Sequence, residues 1–266
     1  MSESKYQSPM EPWPSLEKFG EKIRLKNSNL SLFYFETGED HPSTILLIHG
    51  LGDEADTWRH VFLPLANKFN VIAVDLPGFG RSDKPQIDYT PQFYLNNIYD
   101  FLEAKSINNV ILMGSSLGAM LSQGFAIEKP KIVTGLILVD GALLQVEPMF
   151  DWNLRLMQVP LLGEWLYMRL RNNPDAAYNS LRKVYHDLDS MPEMDRDFLY
   201  QRVNRRVWSD GQRRAYLSTI RNLPGWVRKS QEGLIDQLID LNIPTLVIRG
   251  IFDPLFPEKN AEKLAA

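Results

Sequence analysis

The stretch from Val110 to Met120, VILMGSSLGAM, decides the fold. An apolar run, Val110 to Met113, stops at Gly114-Ser115-Ser116-Leu117-Gly118, and a helix-compatible segment, Ala119 to Glu128, follows at once. The G-x-S-x-G pattern is typical of a strand that turns sharply into a helix and strains its central residue. Side chains two residues before and after the centre would collide there, so both positions are glycine. We therefore expect Ser116 to stand at the carboxyl end of a sheet, beside the positive end of a helix.

The same five residues also fit a glycine- and serine-rich turn without chemistry, so the surrounding sequence decides. Apolar runs rich in valine, isoleucine and leucine alternate with segments of helical periodicity, which indicates an α/β fold with a parallel sheet covered on both faces. An antiparallel hairpin is predicted first, in residues 21–38, where two alternating runs flank Asn27-Ser28-Asn29. The further predicted strands are Thr44 to Ile48, Val71 to Val74, Gly135 to Val139 and Pro244 to Ile248.

The alternation breaks between Gly141 and Arg228, where amphipathic pieces replace buried strands. Prolines separate these pieces and are expected to end helices, at Pro160, Pro174, Pro192 and Pro224. We interpret residues 141–228 as a helical lid inserted into a core formed by residues 21–140 and 229–266. The polar, proline-rich residues 1–20 are expected to be a flexible leader.

Composition limits the classes of function. In 266 residues, 44% are hydrophobic and 23% charged, as in soluble globular proteins. A net charge of −4 gives no electrostatic footprint for nucleic acid or an anionic membrane. The absence of cysteine excludes disulfides, thiolate metal sites and a cysteine nucleophile. With no secretory signal and no membrane-spanning apolar run in the sequence, we expect a cytoplasmic protein with a small-molecule partner and without cofactor or metal.

Two other predicted strands end in residues suited to acyl transfer. After Thr44 to Ile48, the turn His49-Gly50-Leu51-Gly52 can direct the Leu51 amide into the same cleft as the Leu117 amide, which would form an oxyanion hole. Asp253 follows the last predicted strand and can orient a histidine. The alternatives are a simple glycine turn and a helix-capping or solvated aspartate. Both segments lie where open α/β sheets bind ligands, at the carboxyl ends of strands.

Five segments together resemble the α/β-hydrolase superfamily in their order and spacing: HGLG with Trp58 after it, DLPGFGRSD, GSSLGA, LVDGA and RGIFDPLFP. They are most similar to its cap-bearing branch, which includes small carboxylesterases, carbon–carbon bond hydrolases of meta-cleavage products, epoxide hydrolases and haloalkane dehalogenases. The resemblance covers residues 22–266. It implies an α/β-hydrolase fold, with a mostly parallel central sheet flanked by helices and a helical lid over the pocket.

The resemblance also implies roles for individual residues. Ser116 is then the nucleophile, Asp253 the acid of the catalytic triad, and the Leu51 and Leu117 amides the oxyanion hole. Asp140, at the end of the strand after the elbow, is a secondary candidate for the acid and is expected to be structural. A serine at the elbow argues against dehalogenase or epoxide hydrolase chemistry, which uses an aspartate nucleophile in this family.

The histidine of the triad departs from the family pattern. In this fold it follows the acid by one further strand, but the residues after Asp253, PLFPEKNAEKLAA, contain no histidine. His49 resembles the family's structural histidine, His41 and His60 lie outside the site segments, and His186 lies in the lid. Because the sequence stops inside a helix-forming segment, we expect a C-terminal truncation that removes the last strand, the last helix and the catalytic histidine.

The sequence thus predicts a carboxylesterase-like serine hydrolase of a small, largely apolar acyl substrate, acting through an acyl-enzyme. Carbon–carbon bond hydrolysis and a non-catalytic ligand receptor are the alternatives. A dinucleotide-binding fold is disfavoured because Gly78-Phe79-Gly80 lacks the third glycine of that fingerprint. The oligomeric state stays open. Apolar side chains of the lid could line the pocket or pack within the lid: Trp152, Trp165, Leu166, Trp208 and Trp226.

Overall fold

The computed structural model describes residues 6–7, 10–145 and 152–265. Seven strands form its central sheet: β1 (Gly20–Arg24), β2 (Ser31–Thr37), β3 (Thr44–Ile48), β4 (Asn70–Val74), β5 (Val110–Ser115), β6 (Val133–Val139) and β7 (Thr245–Ile248). They lie in the order β1-β2-β4-β3-β5-β6-β7. The pairs β1–β2 and β2–β4 are antiparallel, and every later pair is parallel. The predicted hairpin and mostly parallel sheet are confirmed.

The register of the parallel strands places their carboxyl ends along one edge. Ile48 of β3 lies opposite Gly114 of β5, Ser115 lies opposite Val139 of β6, and Val139 lies opposite Ile248 of β7. The residues that directly follow these strands therefore meet at the same edge of the sheet. This is the edge at which the sequence analysis expects the site.

The α-helices within the described ranges fall into two groups. The helices that flank the sheet are α1 (Phe62–Ala66), α2 (Pro91–Ala104), α3 (Leu117–Glu128), α9 (Leu234–Leu241) and α10 (Glu258–Ala265). The insertion after β6 contributes α4 (Trp152–Gln158), α5 (Leu162–Arg169), α6 (Pro174–Asn179), α7 (Glu193–Trp208) and α8 (Asp210–Ser230). Residues 146–151 of the expected lid lie outside the described residues.

Helix α8 differs from the prediction because it runs through Pro224 without a break. A proline inside a helix has no N–H to donate to the carbonyl four residues earlier, here that of Ile220. The side-chain amide of Gln158, at the end of α4, donates to the Ile220 carbonyl at 3.1 Å. The lost helical hydrogen bond is thus replaced from a neighbouring helix, and the long helix persists.

The apolar segment from Trp58 to Phe69 does not form one continuous helix. A 3-10 turn, Ala55–Trp58, comes first, and α1 then spans Phe62–Ala66. Trp58 and Phe62 are both buried in the core on one face of the sheet. Two short helical pieces therefore bury the apolar side chains of this segment.

Part of the expected flexible leader is packed against the core. Trp13 is 8% exposed and Leu16 is fully buried, and both belong to the apolar core that includes Phe62. The Trp13 backbone N–H donates to Asp56 Oδ1 at 2.6 Å. The expectation of a flexible leader over residues 1–20 is therefore wrong for residues 13–16, while residues 1–5 and 8–9 lie outside the described residues.

The insertion has an apolar cluster of its own, which includes Tyr167 of α5, Leu188, and Leu199 and Val203 of α7. Helix α8 belongs both to the insertion and to the core, because its Ala215 packs in the main core of the sheet. Nowhere in the described ranges is a helix long and apolar enough to cross a membrane.

Candidate active site

Ser116 stands at the tip of the predicted elbow. It lies between β5 and α3 with φ 51° and ψ −112°, a left-handed conformation that strains a residue with a side chain. Its amide donates to the Val139 carbonyl at 2.9 Å, which fixes the backbone against β6. The residue is exposed, whereas its neighbours Gly114 and Leu117 are buried. The backbone is therefore held firmly while the hydroxyl faces the surface.

The two glycines of the motif are required by close backbone contacts. A Cβ on Gly114 would lie 2.2 Å from the carbonyl carbon of Gly118, and a Cβ on Gly118 would lie 2.1 Å from the Ile48 carbonyl oxygen. Both distances are far below van der Waals contact. The steric reason inferred from the motif is thus found in the structure, and the first turn of α3 touches the end of β3.

Gly141, which follows Asp140 at the end of β6, is a further requirement of the elbow. A Cβ there would lie 2.7 Å from Ser116 Cα and 2.6 Å from its carbonyl oxygen. The motif LVDGA contains this glycine but did not by itself indicate the role. A glycine directly after the strand beside the elbow was the signal that could have revealed it.

The turn after β3 is held from the core side by His49. The amide of Asp53 donates to the Gly50 carbonyl at 3.1 Å, and Gly52 has φ 72°, so Leu51 lies inside a tight turn. The Leu76 amide donates to His49 Nε2 at 3.0 Å, so Nε2 is an acceptor and the ring proton lies on Nδ1. Nδ1 in turn donates to the Gly50 carbonyl at 2.7 Å. Burial lowers the pKa of His49. The imidazole is therefore neutral and structural.

The Leu51 turn and the start of α3 lie side by side. The position of a Cβ on Gly118 is 2.8 Å from the His49 carbonyl oxygen, and a Cβ on Gly50 would be 3.5 Å from Ser116 Cβ. The Leu117 amide is the first N–H of α3, which has no acceptor within the helix.

The two candidate acids are neighbours. Asp140 ends β6 with φ 49° and accepts a hydrogen bond from the Gly250 amide at 2.7 Å, while Asp253 Oδ1 accepts from the Leu255 amide at 2.7 Å. Burial is the largest cause that raises the pKa of Asp140, and the charge and hydrogen bond of Asp253 raise it further. The hydrogen bond from the Gly250 amide lowers this pKa but does not cancel the increase. The residues that follow β6 and β7 therefore bring both carboxyls into one cluster, and their positions do not distinguish which of them is the acid.

The histidines occupy other positions. His60 Nε2 lies 2.8 Å from Asp195 Oδ1, and the His186 ring stacks on Phe252 with centroids 4.1 Å apart, beside Asp253 in the chain. Within residues 10–145 and 152–265, no histidine forms a hydrogen bond with Ser116 or Asp253. The stack brings His186 to the strand-end edge, where its ring is exposed.

The apolar side chains proposed to line the pocket or to pack within the insertion have different surroundings. Trp152 and Trp165 are 67% and 53% exposed, and the Arg169 guanidinium lies over the Trp165 ring. The Trp208 ring lies under the Arg171 guanidinium, and Trp226 packs in the apolar cores around α3. Leu166 is partly buried. Trp226 is thus a packing residue, and a pocket lining by the other side chains stays a prediction.

Residues 43–266 match the family model of the alpha/beta hydrolase fold. The chain belongs to the α/β-hydrolase family. It is 28% identical, over 86% of this chain and 74% of the relative, to the 2-hydroxy-6-oxo-6-(2'-aminophenyl)hexa-2,4-dienoic acid hydrolase of Metapseudomonas resinovorans. The crystal structure of CarC, a serine hydrolase involved in carbazole degradation, superposes with a TM-score of 0.68 at 25% identity, covering 92% of this chain and 85% of CarC.

An uncharacterized protein of Mycobacterium tuberculosis is 46% identical to this α/β-hydrolase chain over 97 residues. That match covers 36% of this chain, and the chain spans only 28% of the mycobacterial protein. The predicted fold and family are confirmed by these comparisons and by the sheet order, whereas the roles of individual residues remain predictions.

Proposed function

We propose that this protein is a serine hydrolase in which Ser116 attacks the carbonyl carbon of a small, largely apolar acyl substrate and forms an acyl-enzyme. The observation that carries the proposal is the exposed Ser116 at φ 51°, in an elbow that only glycines at both flanks permit. A strained conformation that the surroundings over-determine is characteristic of functional sites. Membership in the α/β-hydrolase family agrees with hydrolysis.

In this mechanism the reaction proceeds in two stages. A base removes the Oγ proton of Ser116 as the oxygen attacks, and the Leu51 and Leu117 amides stabilise the negative oxygen of the tetrahedral intermediate. The leaving group takes the proton, and water then releases the acyl group by the reverse sequence. Asp253, with Asp140 beside it, would hold the protonated base, which the family order assigns to a histidine one strand after Asp253 that is not among the residues up to Ala266.

Hydrolysis of an activated carbon–carbon bond is the second candidate. It is supported by the similarity to the dienoic acid hydrolase of Metapseudomonas resinovorans over 86% of this chain, and to CarC. The same elbow and oxyanion amides serve both reactions, since each creates negative charge on a carbonyl oxygen. Turnover of p-nitrophenyl esters against loss of absorbance of a 2-hydroxy-6-oxo-dienoate distinguishes the two substrate classes.

Labelling by a fluorophosphonate probe tests the nucleophile. In the protein that carries the histidine expected after Asp253, we expect covalent labelling of the wild type and none of Ser116→Ala, with Ser115→Ala, one residue earlier at the end of β5, as the matched control that retains labelling. Mass spectrometry of the labelled peptide identifies the modified residue. Equal labelling of wild type and Ser116→Ala contradicts the assignment, and absence of labelling in all three favours a non-catalytic ligand receptor.

A further inference from the structure

Two arginines of the lid contact the turn that contains Leu51. Arg202 and Arg206 lie one helical turn apart on α7, so their side chains share one face of that helix. Arg206 Nη2 lies 2.5 Å from Asp53 Oδ1, and Arg202 Nη2 lies 3.2 Å from the same oxygen. Asp53 is the residue whose amide closes the turn onto the Gly50 carbonyl. Helix α7 of the lid therefore forms ion pairs with the last residue of the turn.

This contact is ionic and largely removed from solvent. The Arg202 side chain is 1% exposed, and that of Arg206 is 11% exposed. Burial by itself raises the pKa of Asp53, but the two guanidiniums outweigh it and hold that pKa well below its ordinary range. The same carboxylate accepts the Glu54 amide at 2.8 Å. The Asp53 side chain itself is 22% exposed, and a carboxylate shared by two cations and an amide has little freedom to rotate.

The turn is consequently held at both ends by different parts of the molecule. His49, from the core, donates to the Gly50 carbonyl, and the two lid arginines bind Asp53. The position of a Cβ on Gly52 lies 3.1 Å from the ring of Tyr216, a residue of α8. Leu51 lies between these contacts. A shift of α7 relative to the core must therefore move the Leu51 amide.

We infer that Arg202 and Arg206 are positioning residues through which the lid sets the orientation of the Leu51 amide. Without the arginines, the partly exposed Asp53 carboxylate would lose both cations, and the turn would rotate to bring it further into water. The lid thus contributes to transition-state stabilisation through the turn and without touching the reacting atoms. This inference rests on the proposed function, because it assigns the Leu51 amide to the oxyanion hole.

The test measures how fast Ser116 reacts with a fluorophosphonate in Arg206→Gln, with Arg205→Gln as the control on the same helix. Saturation kinetics separate the maximal labelling rate from the half-saturating probe concentration. Loss of an oxyanion donor costs about 10²–10³ in rate, so a displaced donor should lower the maximal rate of Arg206→Gln about 10- to 100-fold. The half-saturating concentration should stay within about twofold, and Arg206→Lys should recover part of the rate.

Asp53→Asn provides a second, nearly isosteric variant that removes only the charge. It should lower the maximal rate as Arg206→Gln does, and the double variant should be no slower than the slower single variant, because both changes break one interaction. Circular dichroism confirms that each variant is folded. If Arg206→Gln does not fold, the comparison of Asp53→Asn with Arg205→Gln decides.

The outcomes separate this inference from the proposed function. If the wild type is labelled at Ser116 and the Arg206→Gln and Asp53→Asn variants react as fast as Arg205→Gln, the positioning role is overturned and the nucleophile stands. If the variants change only the half-saturating concentration, the arginines act on probe binding and the positioning role is likewise overturned. If the wild type is not labelled at Ser116, the proposed function fails and this inference fails with it.

Discussion

At the scale of single residues, the strained backbone of Ser116 depends on neighbours that have no side chain. Gly114, Gly118 and Gly141 each lie where a Cβ would come within 2.7 Å of backbone atoms. Backbone atoms cannot move aside as the end of a flexible side chain can. These positions therefore tolerate no larger residue, although each is separated from the Ser116 hydroxyl by other atoms.

Gly118→Ala should consequently destabilise the protein by about 3 kcal/mol or more, since its Cβ would lie 2.1 Å from the Ile48 carbonyl oxygen. Gly225→Ala is the matched control in the exposed part of α8, where nothing lies within 4 Å of the new atom. That control should gain about 0.5–1 kcal/mol, because alanine favours a helix over glycine. Urea unfolding measures both; equal stabilities would contradict the crowding of the elbow.

The buried imidazole of His49 predicts a pH dependence of stability. Its folded pKa lies below the ordinary value of 6.5, so the unfolded chain binds a proton that the folded protein excludes. The free energy of unfolding should therefore fall as the pH falls through 6.5, by at most about 1.4 kcal/mol per pH unit from this group. Above that pH the imidazole is neutral in both states and the contribution is constant.

Urea unfolding of the His49→Gln variant between pH 7 and pH 5.5 isolates this effect. The slope of unfolding free energy against pH should be shallower than in the wild type, whatever the overall loss of stability. His41→Gln, in the loop before β3, is the control that should keep the wild-type slope. An unchanged slope in His49→Gln would mean that the imidazole is not held neutral.

At the scale of the elements, α8 joins the helical insertion after β6 to the core and contains a proline that a helix does not ordinarily tolerate. The side chain of Gln158 supplies the hydrogen bond that Pro224 cannot give to the Ile220 carbonyl. Two helices of the insertion, α4 and α8, are therefore connected at the point where α8 lacks a backbone hydrogen bond. The helical structure of α8 around Pro224 thus depends on α4 as well as on α8 itself.

A double-mutant cycle tests this dependence. Gln158→Ala should cost about 1 kcal/mol in unfolding free energy, because it leaves the Ile220 carbonyl without its donor. In a Pro224→Ala background the helix supplies its own N–H, so the same Gln158→Ala change should cost much less. Chemical denaturation of the four proteins gives the coupling; equal costs of Gln158→Ala in both backgrounds would show that the amide does not replace the helical bond.

At the scale of the whole molecule, the segment before β1 connects the core to the helical insertion after β6. The Trp13 ring packs edge-on against Phe198 of α7, with centroids 5.0 Å apart, and its backbone N–H is held by Asp56 beside the core. Arg59 lies over the Trp13 ring and binds Asp195 of α7. One buried side chain near the start of the chain thus contacts both parts of the fold.

Trp13→Ala should lower the free energy of unfolding by about 3–5 kcal/mol, as expected for the removal of a buried tryptophan. Trp165→Ala is the matched control, because that ring is 53% exposed on α5 and its removal should cost less than about 1 kcal/mol. Thermal unfolding followed by circular dichroism compares them. Similar costs for the two tryptophans would contradict the structural role of the segment.

The parts of the molecule that could be predicted from sequence are those that local patterns determine. The alternation of apolar runs and helical segments predicted the sheet, and the glycines around Ser116 predicted the elbow, because each effect acts within a few residues of the chain. Trp13, Gly141 and the Gln158 contact with α8 could not be predicted in the same way. Their roles depend on residues 25 (141 − 116) to 185 (198 − 13) positions away in the chain, which come close only in the folded protein.

The ionic contact between Asp53 and Arg206 shows the same limit at the site. An aspartate in a loop and an arginine on a helix are ordinary surface residues in sequence, and only their burial beside each other distinguishes them. The preference for Asp253 over Asp140 as the acid comes from the family order and not from the fold. Asp140 directly follows β6 and Asp253 lies in the loop after β7, so both carboxyls lie at the same edge of the sheet.

Ser116 is exposed although the backbone around it is crowded, and this combination allows the side chain at the elbow to change while the fold stays the same. The surrounding glycines restrict the main chain, yet the side chain at position 116 faces outward and meets no comparable restriction. Exchange of this one side chain, for example Ser116→Cys or Ser116→Asp, therefore leaves the scaffold intact. Under the proposed function, a different nucleophile could thus be acquired in a single substitution, while the architecture that presents it is inherited unchanged.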